Sequence, residues 1–573
     1  LRRVRGVAVR LLGLAGFAAV AVLAACDDGS GTVDVPGDTS GSGDTAGGSD
    51  TGGVESGSGE DGVVDSGGGS DDDTSAEVGC RHGLDDNGDG VCDGDVAQWW
   101  RGAPVPLDGS NADIYHLGDR VGAVASRGVL HTHRWPVTVS GVLLPWDPVM
   151  RMFDPAATDA NVLNVQSIAR NSLGFGNTTE MYAWLGLPQY EGSGEALPGI
   201  PWPAELHAGD FLGAAKVSTP QGDALTFSCA TCHSAEVFGR TVYGATNRRS
   251  RANVFFHLAK QFFPSIPPAA FATMSGANDA ETAMFTKTRS NLSAIGSHEP
   301  QVTGLDTSLA HVSLSLSRRE EDAYATRNPA LETRPRANQL ASFVADSKPQ
   351  PWWTLRFKNR WLADGSIVSG NPVFTNFLWN EIGRGTDLHE LQQWLVENQR
   401  IVDELTVAVF ATTPPRWENW FGADSIDIEA AKRGQALFNA TCSRCHGTYA
   451  KGWDDPATDV SDHRAMIQTS RITYFEQTLV QDVGTDLQRA EGMSTFADVL
   501  NGLEISQQNG TVVEVQQGYV APPLNGLWVR YPYFHNGSAP TLCDVLTAGP
   551  RRTTEFWNGP AHDPATDFDA VCV

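Results

Sequence analysis

Basic residues are scarce in this 573-residue chain, which holds 41 Lys and Arg against 68 Asp and Glu and carries a formal net charge of -27. A protein that grips nucleic acid needs a basic face, so the composition argues against a nucleic-acid partner. The net negative charge is unevenly distributed along the chain, because residues 27–98 hold 19 acidic side chains and a single basic one. Most of the acidity therefore belongs to one segment and says little about the remainder of the chain.

The apolar run Leu11–Ala25 is short, at about 15 residues where a membrane-spanning helix needs roughly 20. Four arginines within residues 2–10 precede it, the pattern of a secretory signal. The run ends Leu-Ala-Ala-Cys26, which resembles the lipobox of bacterial lipoproteins, whose cysteine is lipidated. We therefore expect residues 1–25 to be a signal peptide and Cys26 to anchor the protein on an extracytoplasmic membrane face. A plain signal peptide is the alternative.

Large apolar side chains are almost absent from residues 26–79, which are mainly Gly, Ser, Asp and Thr. Such a segment cannot bury enough surface to offset its ordering entropy, so we expect a disordered acidic tether. Residues 80–98 follow with alternating oxygen-bearing side chains, similar to calcium loops of the D-x-[DN]-x-D-G type without the final Glu of an EF-hand. A solvated acidic linker is the alternative. The expected calcium ligands are Asp85, Asn87, Asp89 and Asp93.

Cysteine is also sparse, and four of the nine cysteines occur in two copies of C-x-x-C-H, at residues 229–233 and 442–446. Two thiols one helical turn apart can form thioethers to both vinyl groups of a haem, and the adjacent His then binds the iron. We therefore predict two covalently bound haem c groups. A C-x-x-C redox pair and half of a zinc site are the alternatives. The haem-binding residues would be Cys229, Cys232, His233, Cys442, Cys445 and His446.

The remaining cysteines explain why the count is odd. Cys26 is expected to carry lipid, which leaves two pairs. Cys80 and Cys92 flank the acidic loop, and Cys543 and Cys572 lie near the C-terminus. Because export favours disulfides, we expect both pairs to be bridged.

Apolar residues recur at helical spacing over residues 388–405 and 429–439. The second stretch runs into AKRGQALFNATCSRCHG, which resembles the start of a cytochrome c domain. Downstream, YVAPPLNGLWVRYPYFHNGSAPTLCDVL (Tyr519–Leu546) is similar to a segment of dihaem enzymes that include bacterial dihaem cytochrome c peroxidases and rubber oxygenases. The forms PPLNGLW and FHNGSAPTL, with a late F-W-x-G at residues 556–559, resemble the rubber-oxygenase-like branch best.

This resemblance implies a mainly α fold with two cytochrome c-like haem domains, long loops and a large insertion between the haem motifs. The domains would be residues 99–425 and 426–573. It also implies that His535 is the second axial ligand of the C-terminal haem. A bis-His iron is coordinatively saturated, so that haem would transfer electrons. The N-terminal haem would then be the reaction centre.

In the rubber oxygenases the distal face of the N-terminal haem is open to O2 and lined by aromatic side chains. By order along the chain, Phe377 or Phe374 is the expected distal Phe and Trp361 its Trp neighbour. His257 is an alternative sixth ligand, and Arg384 could pair with a haem propionate or with Glu381. The other expected wall residues are Trp352, Trp353, Phe357 and Trp379.

Taken together, the resemblance implies an exported oxidoreductase that activates O2 or H2O2 and receives electrons from a small redox protein or another external donor. A hydrophobic substrate such as polyisoprene is expected for the rubber-oxygenase-like branch. Two alternatives stay open: a dihaem cytochrome c peroxidase, and a non-catalytic electron-transfer cytochrome whose irons are both six-coordinate.

Overall fold

The computed structural model describes residue 105, residues 109–134 and residues 141–572. The predicted signal peptide, the lipidated Cys26, the tether, the calcium loop and the Cys80–Cys92 pair lie outside the described residues. Within those ranges, no helix is both long and apolar enough to span a bilayer.

Helices make up most of the regular structure, in keeping with the predicted mainly α class. The first group runs from the start of the described chain to the second haem motif. In chain order it comprises α1 (Val121–Arg134), α2 (Trp146–Met152), α3 (Ala160–Leu173), α4 (Thr178–Trp184), α5 (Ala230–His233), α6 (Ala252–Phe262), α7 (Pro268–Ser275), α8 (Asp279–Ala294), α9 (Ser308–Leu316), α10 (Pro329–Thr333), α11 (Pro372–Gly383) and α12 (Leu388–Phe410).

The second group includes both helical stretches around the C-terminal haem motif. Asp427 caps the first of them by accepting a hydrogen bond from Ala430 N, which satisfies an otherwise unpaired backbone donor. The amphipathic patterns at 388–405 and 429–439 thus correctly predicted α12 and this helix. The group comprises α13 (Ile428–Thr441), α14 (Ser443–His446), α15 (His463–Ile467), α16 (Gln488–Gly492), α17 (Ala497–Gly502), α18 (Glu504–Gln508) and α19 (Leu542–Val545).

The strands are short and pair antiparallel. In chain order they are β1 (Leu144–Pro145), β2 (Glu195–Leu197), β3 (Ile200–Pro201), β4 (Ala214–Thr219), β5 (Gly222–Phe227), β6 (Ser234–Val237), β7 (Arg240–Tyr243), β8 (Ile367–Ser369), β9 (Thr448–Lys451), β10 (Thr469–Thr473), β11 (Val480–Gln481), β12 (Val512–Val513) and β13 (Tyr519–Val520). β1, β5 and β4 form a sheet in that order, and β6 and β7 form a hairpin directly after the first haem motif. The remaining pairs are β2 with β3, β8 with β12, β9 with β10 and β11 with β13.

Helices α1 and α12 pack at close range, and a glycine permits the approach. A Cβ atom on Gly128 would lie 2.0 Å from the carbonyl oxygen of Glu404 and 2.6 Å from Ala408 Cβ. Beside this crossing, buried Glu404 accepts hydrogen bonds from Arg127 Nε at 2.5 Å and Arg400 Nε at 2.9 Å. The pairing satisfies the Glu404 carboxylate, which would be costly to bury alone.

The main hydrophobic core crosses the boundary predicted between residues 425 and 426. Met493 and Phe496, from the C-terminal side, belong to the same buried cluster as Leu309 and Trp379. The rings of Trp379 and Phe496 meet edge to face with centroids 5.4 Å apart. The two predicted domains therefore share one core.

The C-terminal end of the chain is tied back on itself by the predicted Cys543–Cys572 disulfide, which the structure confirms. The backbone N–H of Leu542 also donates to Cys572 O at 2.7 Å. This places α19 beside the last described residues.

Buried Asp403, next to Glu404 on α12, gives a pH-dependent prediction. Burial raises its pKa to about 7, and Tyr115 Oη donates to Asp403 Oδ1 at 2.6 Å. Because the folded state holds this proton more tightly than the unfolded state, its contribution to stability falls as pH rises from about 4 to about 7. We expect Asp403→Asn to remove that dependence, so that thermal melts of variant and wild type diverge across this window. Parallel stability curves from pH 4 to 8 would contradict the assignment.

Candidate haem sites

The first C-x-x-C-H motif forms one helical turn, as its spacing predicts. Cys229 precedes α5, and His233 N donates to Cys229 O at 3.1 Å. The turn is held between β5, which leads into it, and the β6–β7 hairpin that follows. The β6–β7 end is fixed by Gly244 N, which donates to His233 O at 2.8 Å. Both thiols and the imidazole therefore lie on one short, braced segment.

A cavity of about 180 Å³ opens beside this turn and is in part open to solvent. Cys229, Cys232 and His233 form one part of its wall. Helices α11 and α12 supply much of the rest. Their cavity-lining residues are Pro372, Val373, Asn376, Phe377, Asn380, Val402, Leu405 and Val409.

The His233 imidazole is suited to bind iron. It stacks on Trp352, with ring centroids 4.7 Å apart and planes inclined by 23°. Burial lowers the pKa of His233 to about 4, which keeps the ring in the neutral form that coordinates metals. Trp352 thus fixes the orientation of the predicted proximal ligand.

Burial raises the pKa of Cys229 to about 12 and that of Cys232 to about 11. Reactive redox cysteines need a lowered pKa, because the thiolate is the nucleophile. The environment of this motif therefore disfavours the alternative of a C-x-x-C redox pair.

Two buried arginines point to an anionic group in the cavity. Arg384 and Arg489 both line it and are only 3% and 2% exposed. Arg384 Nε and Nη1 and Arg489 Nε have no hydrogen-bond partner among the described residues. A haem carries two propionates, and guanidinium groups bind carboxylates strongly. The donor set therefore fits haem c: Cys229, Cys232 and His233 would hold the group, and Arg384 and Arg489 would supply positive charge for its carboxylates.

Replacing Arg384 with Met is expected to leave haem attached and to lower the reduction potential of the N-terminal haem. A buried positive charge near the iron favours the reduced state, so its loss should shift the one-electron equilibrium about tenfold, or about 59 mV. Spectroelectrochemical titration measures this shift. Arg356→Met is the matched control, since Arg356 is largely buried, lies over Phe357 and does not line the cavity. An equal shift in both variants would contradict a specific role for Arg384.

Only some of the aromatic residues predicted for the cavity wall line the cavity. Trp352, Trp361 and Phe377 line it. Phe374 does not: with Leu378 it lies on another side of α11, fully buried in the main core. The cavity-lining residues of α11 occupy positions 372, 373, 376, 377 and 380 on one side of the helix, and position 374 falls about 100° away from 373.

Other expected wall residues also lie elsewhere. Trp353 packs near Trp528 and donates from Nε1 to Asn525 O at 3.1 Å. Trp379 meets Phe496. Phe357 is buried outside the cavity lining, and His257, the alternative sixth ligand, bonds to Ser297 Oγ at 3.0 Å and is not a lining residue. These residues therefore lie outside the cavity lining, since aromatic patterns mark burial without saying which interior surface a side chain faces.

The second motif forms the same kind of turn at the end of α13. Cys445 N and His446 N both donate to Cys442 O at 3.0 Å. The Nδ1 atom of His446 lies 2.8 Å from Pro522 O, the position for an N–H that donates to the carbonyl. This leaves Nε2 for iron, the arrangement in which a backbone acceptor fixes the tautomer of a ligating His.

His535 is buried close to this second site. Its ring stacks on Tyr519 with centroids 3.8 Å apart, and Tyr519 pairs with Gln481, whose Oε1 lies 3.4 Å from Cys445 Sγ. His535 Nε2 is 3.3 Å from Asp486 Oδ2 but lacks a partner with good hydrogen-bond geometry. The predicted second ligand is therefore linked to the second motif through Tyr519 and Gln481.

Comparison with known proteins adds to this geometry. Residues 429–506 match the family described as cytochrome C oxidase, cbb3-type, subunit III, and residues 518–558 match the family described as RoxA-like, cytochrome c-like. The first match contains the second C-x-x-C-H motif, and the second contains His535.

Two proteins of Sinorhizobium fredii (strain NBRC 101917 / NGR234) are similar over part of the chain. Uncharacterized protein y4iJ is 27% identical over 188 residues, covering 26% of this chain, and Uncharacterized protein y4iM is 30% identical over 132 residues, covering 22%. The matched region spans 30% of the length of each relative. The family matches show a c-type cytochrome related to the RoxA-like cytochromes, with covalently bound haem c.

Proposed function

We propose that this chain is a dihaem c-type oxidoreductase whose N-terminal haem activates O2 or peroxide and whose C-terminal haem transfers electrons. The observation that carries this proposal is the composition of the N-terminal cavity. Among its described lining residues, His233 is accompanied by no further His and no Met, the side chains that most often complete a haem iron's coordination. An open iron position favours a reaction centre over a pure electron carrier.

When bound, haem supplies an iron that takes up O2 or peroxide and exchanges electrons. The protein's own residues prepare the place for that chemistry. Trp352 orients the His233 ring by stacking, and Phe377, Leu405 and Val409 contribute apolar side chains to the cavity wall. Arg384 and Arg489 place positive charge where the carboxylates of the cofactor would lie.

At the second site, His446 and His535 would supply two imidazoles, one braced by Pro522 O and the other by Tyr519. Two strong axial ligands suit electron transfer, because the iron then changes oxidation state without binding substrate. An external donor or small redox protein would deliver the electrons. Export and anchoring through Cys26 are part of this proposal.

A hydrophobic substrate such as polyisoprene fits the apolar share of the cavity wall. Phe227, Phe256 and Leu362 add to the apolar side chains of α11 and α12. The relation to RoxA-like cytochromes supports this substrate class over a peroxidase that handles only H2O2.

Spectroscopy and turnover of the purified holoprotein test the proposal. We expect a high-spin and a low-spin ferric signal in equal amounts, CO binding by one haem per chain after reduction, and carbonyl-bearing fragments from polyisoprene with O2. Turnover of H2O2 with a reduced cytochrome, without polymer cleavage, would support the peroxidase alternative. Two low-spin haems unreactive toward O2, H2O2 and CO would overturn the enzyme assignment.

A further inference from the structure

His535 lies at the tip of a small loop. Tyr533 N donates to Ala539 O at 2.6 Å and Ala539 N donates to Tyr533 O at 3.4 Å, which closes the loop on both sides. Phe534, just before His535, has a φ of 67°, in the left-handed region that a non-glycine residue adopts at an energetic cost. Such a backbone persists only where neighbouring groups hold it.

Lys348 provides three such contacts. Its backbone N–H donates to His535 O at 2.6 Å, and its Nζ donates to Arg530 O at 2.6 Å and also to Pro532 O. The residue is 7% exposed, so water does not compete for these carbonyls. Lys348 therefore donates hydrogen bonds to backbone carbonyls of the loop both before and after Phe534.

Lys348 reaches this loop from the wall of the N-terminal cavity, which it also lines. Its neighbour Ser347 is fixed by paired backbone hydrogen bonds with Asp306, Asp306 N to Ser347 O at 2.7 Å and the reverse bond at 3.1 Å. The hydrogen bonds from Lys348 Nζ to the loop do not depend on the charge of the lysine. An ammonium has three N–H donors and a neutral amine two, enough for both carbonyls in either state.

We propose that Lys348 is a positioning residue that holds His535 at the C-terminal haem. This rests on the proposed ligation by His535. Truncating the side chain leaves Arg530 O and Pro532 O buried without their donor, a penalty that relaxation of the loop would relieve. Relaxation moves His535, so the strength of the second axial bond depends on a residue outside the two matched cytochrome segments.

The test compares holoprotein carrying Lys348→Met with wild type by ferric EPR and by CO binding after reduction. We expect part of the low-spin signal to become high-spin, and CO to bind the second haem roughly tenfold faster, as expected for loss of a buried hydrogen-bonded donor. Lys348→Arg, which keeps N–H donors, should restore part of the low-spin signal. Lys358→Met is the matched control, because Lys358 is likewise a buried lysine, 1% exposed, and lies near Arg530.

The variant His535→Ala distinguishes a failure of the positioning role of Lys348 from a failure of the proposed ligation by His535. If His535→Ala changes the spin state and Lys348→Met leaves both readouts at wild-type values, the positioning role is overturned and the ligation stands. If His535→Ala changes nothing, the ligation itself is wrong and the role of Lys348 falls with it. Equal effects of Lys348→Met and Lys358→Met would also overturn the proposal. If Lys348→Met does not accumulate, Lys348→Leu, which also lacks N–H donors, is measured instead, and wild-type spectra in that variant overturn it.

Discussion

Replacing Cys229 and Cys232 together with Ala is expected to lower covalently bound haem from two groups per chain to one and to abolish reaction with O2 and CO. Both thioethers of the N-terminal haem would be lost, because Cys229 and Cys232 are the two thiols of the first motif. The remaining spectrum should be that of the low-spin C-terminal haem. Pyridine haemochrome absorbance per chain and intact mass measure the haem count.

Cys543→Ala with Cys572→Ala is the control for losing two cysteines at once, since this pair forms the disulfide. That variant should keep both haems. The reciprocal change, Cys442→Ala with Cys445→Ala, should remove the low-spin haem and retain the reactive one. Two covalent haems in the Cys229/Cys232 variant, or loss of the low-spin signal instead, would contradict the assignment of the motifs.

Placing an imidazole at position 377 is expected to block ligand binding at the N-terminal haem. Phe377 lines the cavity with His233, and a His introduced beside a five-coordinate iron would complete its coordination. We expect Phe377→His to convert the high-spin signal to low-spin and to reduce CO binding by the N-terminal haem about tenfold or more. EPR and CO flash photolysis provide the measurement.

Phe374→Leu controls for a changed aromatic on the same helix. Phe374 is buried in the main core, so we expect a loss of stability of about 1 kcal/mol with CO binding unchanged. Phe377→Leu should keep the high-spin signal, because Leu cannot ligate iron. Unaltered CO binding in Phe377→His would place the distal face elsewhere in the cavity.

The local parts of both sites could be predicted from the sequence because their geometry is local. A C-x-x-C-H segment has few ways to present two thiols and an imidazole, and both copies form the expected turn. The helix before the second motif could be predicted from the helical spacing of its apolar residues. The Cys543–Cys572 disulfide could be predicted from the cysteine count.

The tertiary parts could not be predicted in this way. Trp352 and Trp353 are adjacent, yet one stacks on His233 and the other faces Asn525 across the fold. Nothing in the sequence around Arg489 or Lys348 marks a buried cation that lines the N-terminal cavity. Their roles depend on which segments meet, and that is set by long-range packing. That some N–H groups of these buried guanidinium groups lack a partner among the described residues is visible only once the fold is known.

Arg489 lines the N-terminal cavity but follows the second haem motif in the sequence. Because the chain is synthesised from its N-terminus, this part of the cavity wall would be added after the first haem motif has been made. Contacts between distant segments form slowly, because the intervening loop must first be ordered. The turn of Cys229–His233 is local and can form much earlier. Haem attachment would then precede closure, and the cofactor would act as a template around which the later segments fold.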